Sequence, residues 1–231
     1  MRSLAAPASE EEQMDAPDLE PETYARILAD LGRVNGWTLA RRPTLDFLSR
    51  GIGETRHFRL LDVGFGHGDM LGAIAAWARR RGISAELVGV DLNPKSAAVA
   101  EAATPPELGI RYHTGDYREM GTGFDFIVSN LVAHHMSGEQ LSDFLRFMED
   151  EAHRGWMVND LHRHRLAYSG FPLLCRVMGW HRIIREDGQL SIARSFRPAE
   201  WRAILEDSGV SKEAAMIVRR FPFRLCVERL R

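Results

Sequence analysis

The run Asp62-Val63-Gly64-Phe65-Gly66-His67-Gly68 carries the most specific chemistry in the chain. Three glycines at every second position let a ligand approach the backbone closely and permit positive φ. A helix starting behind them would aim its unpaired N–H groups at the same ligand. The spacing discriminates among ligands. A dinucleotide site needs G-x-G-x-x-G, and the residue three after Gly66 is Asp69. A phosphate loop needs Gly-Lys-Ser/Thr, which does not follow. Asp62 would repel a pyrophosphate and attract an amine. The loop therefore suits a nucleoside that carries a cation and no phosphates. Asp91 lies 23 residues after Gly68 and can accept hydrogen bonds from both hydroxyls of a ribose. Asp116 can accept from the exocyclic amine of a purine, with Tyr117 or Leu92 covering a face.

These residues need elements to hold them, and the hydrophobic pattern supplies a coarse set. A short apolar run, 59–63, ends at the glycine loop, and a helix over 69–81 follows it. Further strands are predicted over 86–90, 110–114, 124–129 and 156–159, with helices over 95–103 and 138–152 between them. Alternation at these lengths predicts βαβ units and a parallel sheet covered on both faces. A helix over 198–208 precedes two strands, 215–219 and 223–228, whose short link demands an antiparallel pair. Before the sheet, helical spacing starts at Pro21 and breaks at Gly32 and at Asn35-Gly36, and a second helix covers 39–48. Residues 160–197 hold no clean period and predict an irregular functional loop or lid.

The D-x-G-x-G-x-G loop, Asp91 and Asp116 resemble motifs I, II and III of class I S-adenosylmethionine-dependent methyltransferases, over residues 59–159. The resemblance implies a Rossmann-like α/β fold: a seven-stranded, mostly parallel sheet of order 3-2-1-4-5-7-6, the last strand antiparallel, with helices on both faces and a lid. It implies S-adenosylmethionine as cofactor, leaving as S-adenosylhomocysteine. Its cofactor residues would be Asp62, Gly64, Gly66, Gly68, Asp91, Leu92, Asp116, Tyr117 and Asn130. More loosely, the stretch from Asn159-Asp160-Leu161-His162-Arg163-His164 to Tyr168, with Asp187-Gly188-Gln189 later, is similar to a bacterial small-molecule subgroup associated with polyketide-type natural products.

Methyl transfer from a sulfonium demands alignment and exclusion of water. A phenol acceptor, with a pKa near about 10, also profits from a base. Histidine is the base suited to neutral pH. Two clusters stand where the carboxyl ends of strands four and five should be: His134-His135, and Asp160 with His162 and His164. His162 oriented by Asp160 is the first expectation for the base, with His134 and His135 next. His164, Trp37, Tyr168 and Phe171 are expected to line the acceptor pocket. No metal is expected, because neither histidine pair is completed by a nearby Cys or carboxylate in a usual pattern. The expected activity is O-methylation of a small, phenolic or polyketide-like molecule, with C-methylation close behind. The rivals are a non-catalytic S-adenosylmethionine-binding regulatory protein and a protein or RNA methyltransferase.

Composition bounds the rest. The chain has 231 residues, one domain in size, with 45% hydrophobic and 27% charged residues. Net charge is −2, and no basic stripe with interleaved aromatics marks a nucleic-acid partner. No long apolar run predicts a membrane span, and two cysteines make no disulfide framework. The expected partner is a small-molecule acceptor, the expected state a monomer or homodimer, and the expected compartment the cytoplasm. Residues 1–22 hold seven acids and one base. Residues 1–20 are accordingly expected to be a disordered acidic tail. Residues 21–231 would form the methyltransferase domain, with 21–53 a helical lid and 160–197 a second lid segment.

Overall fold

The apolar runs pair into one seven-stranded sheet in the computed structural model, which describes residues 3–16, 18–211 and 213–231. The strands are β1 (His57–Val63), β2 (Ser84–Asp91), β3 (Arg111–Thr114), β4 (Phe124–Asn130), β5 (Ala152–Leu161), β6 (Met216–Arg220) and β7 (Arg224–Leu230). Their order is β3-β2-β1-β4-β5-β7-β6, parallel except where β7 runs against β5 and β6. This is the order implied by the resemblance. β1 is the first strand, with neighbours laid down to both sides, so the crevice opens beside its carboxyl end.

Eight α-helices accompany the sheet among the described residues: α1 (Pro21–Trp37), α2 (Arg42–Gly51), α3 (Asp69–Arg80), α4 (Ser96–Ala103), α5 (Gly138–Glu151), α6 (Arg165–Met178), α7 (Arg182–Arg194) and α8 (Pro198–Asp207). The alternation of β1 sends Leu60 to one face and Leu61 to the other. Leu60 packs with Phe47, Leu71 and Ala100 from α2, α3 and α4. Leu61 packs with Phe144 from α5 and Trp201 from α8. A third apolar cluster lies above the crevice, where Ile27 and Val34 of α1 meet Cys175 of α6 and Ile183 and Ile184 of α7. This cluster is the core of a cap.

Three expectations are corrected. Helix α1 runs unbroken through Gly32 to Trp37. Gly32 is there for space: a Cβ would come within 3.3 Å of His67 Nδ1, so the glycine lets α1 lie against the glycine loop. Residues 160–197 are two helices rather than an irregular loop. Gly188 sits inside α7, where a Cβ would meet Phe171 Cε1 at 2.2 Å, so it permits close packing of α7 on α6.

The acidic segment is also held against the body. A short 3-10 turn, Gln13–Asp15, takes both its leading N–H groups to one carboxylate: Gln13 N donates to Asp187 Oδ1 (3.0 Å) and Met14 N to Asp187 Oδ2 (2.9 Å). Ala8 N donates to the Ala193 carbonyl, Arg197 and Arg163 donate to the Leu4 carbonyl, and Arg194 to that of Glu10. Apolar burial is small, as composition implied. Hydrogen bonds from arginines and to Asp187 hold the segment instead, and those are not visible in its own composition.

Candidate functional site

The glycine loop leaves β1 and enters α3 through three residues in the left-handed region, Gly64, Gly66 and Gly68 (φ 77°, 52° and 78°). A side chain on any of them would be strained. The loop is fastened to the next strand, since Gly66 N donates to Asp91 Oδ2 at 2.9 Å. The other oxygen of Asp91 accepts from Asn93 N at 2.9 Å. Burial nonetheless holds the Asp91 pKa above the usual carboxylate range, against the pull of those two N–H groups.

Asp62 is buried beneath the loop. Burial pushes its carboxyl up to about 7, with the Asn130 amide opposing and Asp69 and Asp91 adding to the rise. Its amide partner is held in one orientation. Asn130 Oδ1 accepts from Thr44 Oγ1 (2.7 Å) and from Asn159 Nδ2 (3.2 Å), so Nδ2 is left to donate to Asp62 Oδ1 (3.3 Å). Among the described residues no cationic side chain is paired with Asp62. A buried carboxylate with one amide donor beside an open cavity fits an incoming ammonium group.

The cavity measures about 620 Å³, within the range of small-molecule sites. It runs from the glycine loop, Asp62 and Asp91 to Tyr117, His134, His135 and Phe171. Asp62, Gly64, Gly66, Asp91, Leu92, Tyr117 and Asn130 all border it. Gly68 stands one step away, at the N-cap of α3. Asp116 does not border it. Its carboxylate caps Arg118 N and pairs with the Arg118 guanidinium, while its neighbours Gly115 and Tyr117 face the cavity.

The histidines are arranged differently from expectation. Asp160 does not orient His162. It orients His134, whose Nδ1 lies 2.7 Å from Asp160 Oδ1 while His134 N donates to Oδ2 at 2.9 Å. Burial would raise Asp160, but the His134 imidazole and the N–H groups of Leu161 and His134 hold it below its ordinary value. His134 is 5% exposed and borders the cavity. His162 does not border it, because residue parity on the strand end turns it to the other side. There burial and then Arg219, His164, Arg197 and Arg163 lower its pKa. His164 caps α6 and stacks on Phe223. Tyr168 and Trp37 also lie outside the cavity, Trp37 being 69% exposed along a separate groove. Of the four expected acceptor contacts, Phe171 alone lines the cavity.

Four functional candidates went unpredicted. Glu12 is 4% exposed, borders the cavity and accepts from Ser191 Oγ at 2.7 Å. Burial lifts its pKa to about 7, against the His135 imidazole and the Ser191 hydroxyl. Asp15 lies 3.1 Å from His135 Nδ1. Thr44 completes the Asn130 network. Arg224 is buried against the cavity, donates to Thr38 Oγ1 (3.1 Å), and leaves Nε and one terminal nitrogen without a partner among the described residues. Burial draws its pKa down to about 10. No sequence signal marks Glu12, Asp15 or Arg224, since each reaches the site only through tertiary folding.

Residues 60–151 match the family described as "Methyltransferase domain". The matched segment is thus a methyltransferase domain, and the seven-stranded order around it is the class I S-adenosylmethionine-dependent methyltransferase fold. No curated protein matches it in sequence. Among solved structures it is similar to magnesium protoporphyrin IX methyltransferase from Synechocystis PCC 6803 with bound S-adenosylhomocysteine (19% identity, TM-score 0.57, covering 85% of this chain and 84% of that one). It is similar to human N-acetylserotonin methyltransferase in complex with S-adenosylmethionine (13%, 0.64, 92% and 56%). It is also similar to the mitomycin 7-O-methyltransferase (18%, 0.63, 92% and 59%). At these identities the likeness is one of fold.

Proposed function

We propose that the protein transfers a methyl group from S-adenosylmethionine to an oxygen of a small, partly apolar acceptor. The observation that carries this reading is the shared cavity, with Asp62, the glycine loop and Asp91 at one end and His134, backed by the buried Asp160, at the other. When bound, S-adenosylmethionine supplies an electrophilic methyl on a sulfonium. The chain's residues do the rest. Asp62 and the loop hold the amino-acid end, and Asp91 accepts from the ribose. Tyr117 covers the base. Asp160 fixes the proton of His134 on Nδ1, which leaves Nε2 to take the acceptor's hydroxyl proton. The segment carrying Glu12, with α1, α6 and α7, covers the acceptor end and limits water there. Such cover supports a small acceptor over a macromolecule. Solved relatives in fold include enzymes named for small-molecule acceptors, which agrees with this reading.

Calorimetric titration with S-adenosylmethionine tests the donor end. Asp91→Ala should weaken binding by about 10- to 100-fold, the cost of losing charge-assisted hydrogen bonds of roughly 1.5–3 kcal/mol. Equal affinity in the variant would remove Asp91 from the site. Turnover on a panel of phenols with labelled donor tests the other end. His134→Gln should lower kcat at least about a hundredfold, with donor affinity kept.

A further inference from the structure

Three side chains at the acceptor end converge on one point. Glu12 Oε1 lies 3.7 Å from His134 Nε2 and 3.8 Å from His135 Nε2. The three ligand atoms all fall within 4.8 Å of one another. These separations are too long for direct hydrogen bonds. A tetrahedral zinc ion with bonds near 2.0–2.2 Å sets its ligands about 3.3 Å apart, so the two Glu12 separations need to close by about half an ångström and the histidine pair by at most about 1.5 Å.

The tautomers make the convergence meaningful. His134 Nδ1 is 2.7 Å from Asp160 Oδ1, and His135 Nδ1 is 3.1 Å from Asp15 Oδ2. Carboxylates accept, so in each neutral ring the proton sits on Nδ1 and the lone pair on Nε2. Glu12 is in turn oriented by the Ser191 hydroxyl. Two imidazole lone pairs and a carboxyl oxygen of Glu12 thus face a common point. Each is held from behind by its own partner. Carboxylates behind imidazoles, and a hydrogen bond behind the carboxylate, are the usual support of metal ligands. Arg194 lies nearby, but its Nε donates to the His134 carbonyl.

We propose that Glu12, His134 and His135 bind a divalent transition ion of the zinc class, with the fourth position open to the cavity. Two nitrogens and one oxygen suit zinc better than the all-oxygen preference of magnesium or calcium. The carboxylate that neither histidine pair finds nearby in sequence comes from the N-terminal segment, more than a hundred residues away.

A role for the ion in catalysis rests on the proposed function. With the ion bound, His134 Nε2 is a ligand and no longer the base; an acceptor hydroxyl in the fourth position would instead be acidified by the ion and lose its proton to solvent. Its oxygen would then form the new C–O bond as the C–S bond breaks and its electron pair leaves with neutral sulfur.

The test uses the full chain, stripped with chelator, then titrated with zinc and separately with cobalt(II). One equivalent of zinc should bind per chain. Cobalt should give the intense visible bands of a four-coordinate site, and magnesium should not compete. Glu12→Gln and His135→Gln should each weaken zinc binding at least a hundredfold while titration with S-adenosylhomocysteine stays within twofold, which shows that the variants fold. Absence of stoichiometric zinc, or wild-type zinc affinity in both variants, overturns the proposal. Zinc binding without cofactor binding would keep the metal site and refute the methyltransferase reading. The reverse pattern would keep the enzyme and refute the site.

Discussion

Asp62 is a carboxylate placed where water cannot stabilise its charge, and its pH behaviour follows from that. Burial lifts it from 3.8 to about 7 in the ligand-free protein. Between those values the unfolded chain has lost this proton and the folded chain keeps it. Stability from this group therefore falls as pH rises across that window. A bound ammonium reverses the preference, because it pairs with the ionised form. Between about pH 5.5 and 7 the ligand's amine stays protonated, and affinity for S-adenosylhomocysteine should rise about tenfold. Asp62→Asn should flatten both slopes, and calorimetry in two buffers reads the proton released. A variant that retains the pH dependence would assign it to another group. Arg224 poses the converse case, a buried cation with two nitrogens that lack partners among the described residues. Replacing a poorly compensated buried charge with an apolar residue is often neutral or stabilising, by up to about 1–4 kcal/mol. Arg224→Met should therefore raise Tm while lowering kcat/KM for an acceptor bearing a carbonyl or acid group. A lower Tm with unchanged kcat/KM would make Arg224 structural.

At the scale of elements, what the sequence revealed follows from how local each signal is. The β1–loop–α3 unit was legible because strand, glycines and helix are contiguous, and Asp91 because strand ends converge in a parallel sheet. In the cap, α1 was misread because Gly32 serves packing rather than a turn, and 160–197 because its residues show no clean helical period. Gly188 has helical neighbours on both sides and would look the same in a loop. Only Phe171 of α6, 17 residues earlier, explains it. The Asp160–His162 pairing failed for a related reason: proximity along a strand end is not proximity in space, and His134 arrives from the turn after β4. The packing account of Gly188 makes a prediction. Gly188→Ala forces a methyl into the Phe171 ring, at about 1–3 kcal/mol for overpacking. Hydrogen exchange should accelerate in α6 and α7, and Tm should fall. Affinity for S-adenosylhomocysteine should stay within twofold, because the glycine loop belongs to a different contact. Unchanged exchange in both helices would show that Phe171 yields without cost.

At the scale of the molecule, charge is divided between a segment and a body. Residues 1–22 carry seven acids and one base, and the rest of the chain carries an excess of basic residues. Two kinds of contact hold the described part of that segment. Half-exposed pairs such as Asp15 with His135 sit near solvent, whereas Asp187 takes the Gln13 and Met14 N–H groups within the cap and Glu12 takes the Ser191 hydroxyl out of water. Salt separates the two. The screening length falls from about 10 Å at 0.1 M to about 3 Å at 1 M, and buried contacts are screened much less. Raising salt across that range should speed hydrogen exchange of residues 3–16 by no more than about fivefold, since exposed pairs contribute roughly 0–1 kcal/mol. Asp187→Asn at 0.1 M should speed it more, by about tenfold or above, because hydrogen bonds to a charged acceptor contribute roughly 1.5–3 kcal/mol. Exchange in α3 should change in neither case and serves as the internal reference. If salt alone released the segment and Asp187→Asn did not, the surface charge imbalance would be what closes the cavity, and the buried Asp187 contact would be incidental.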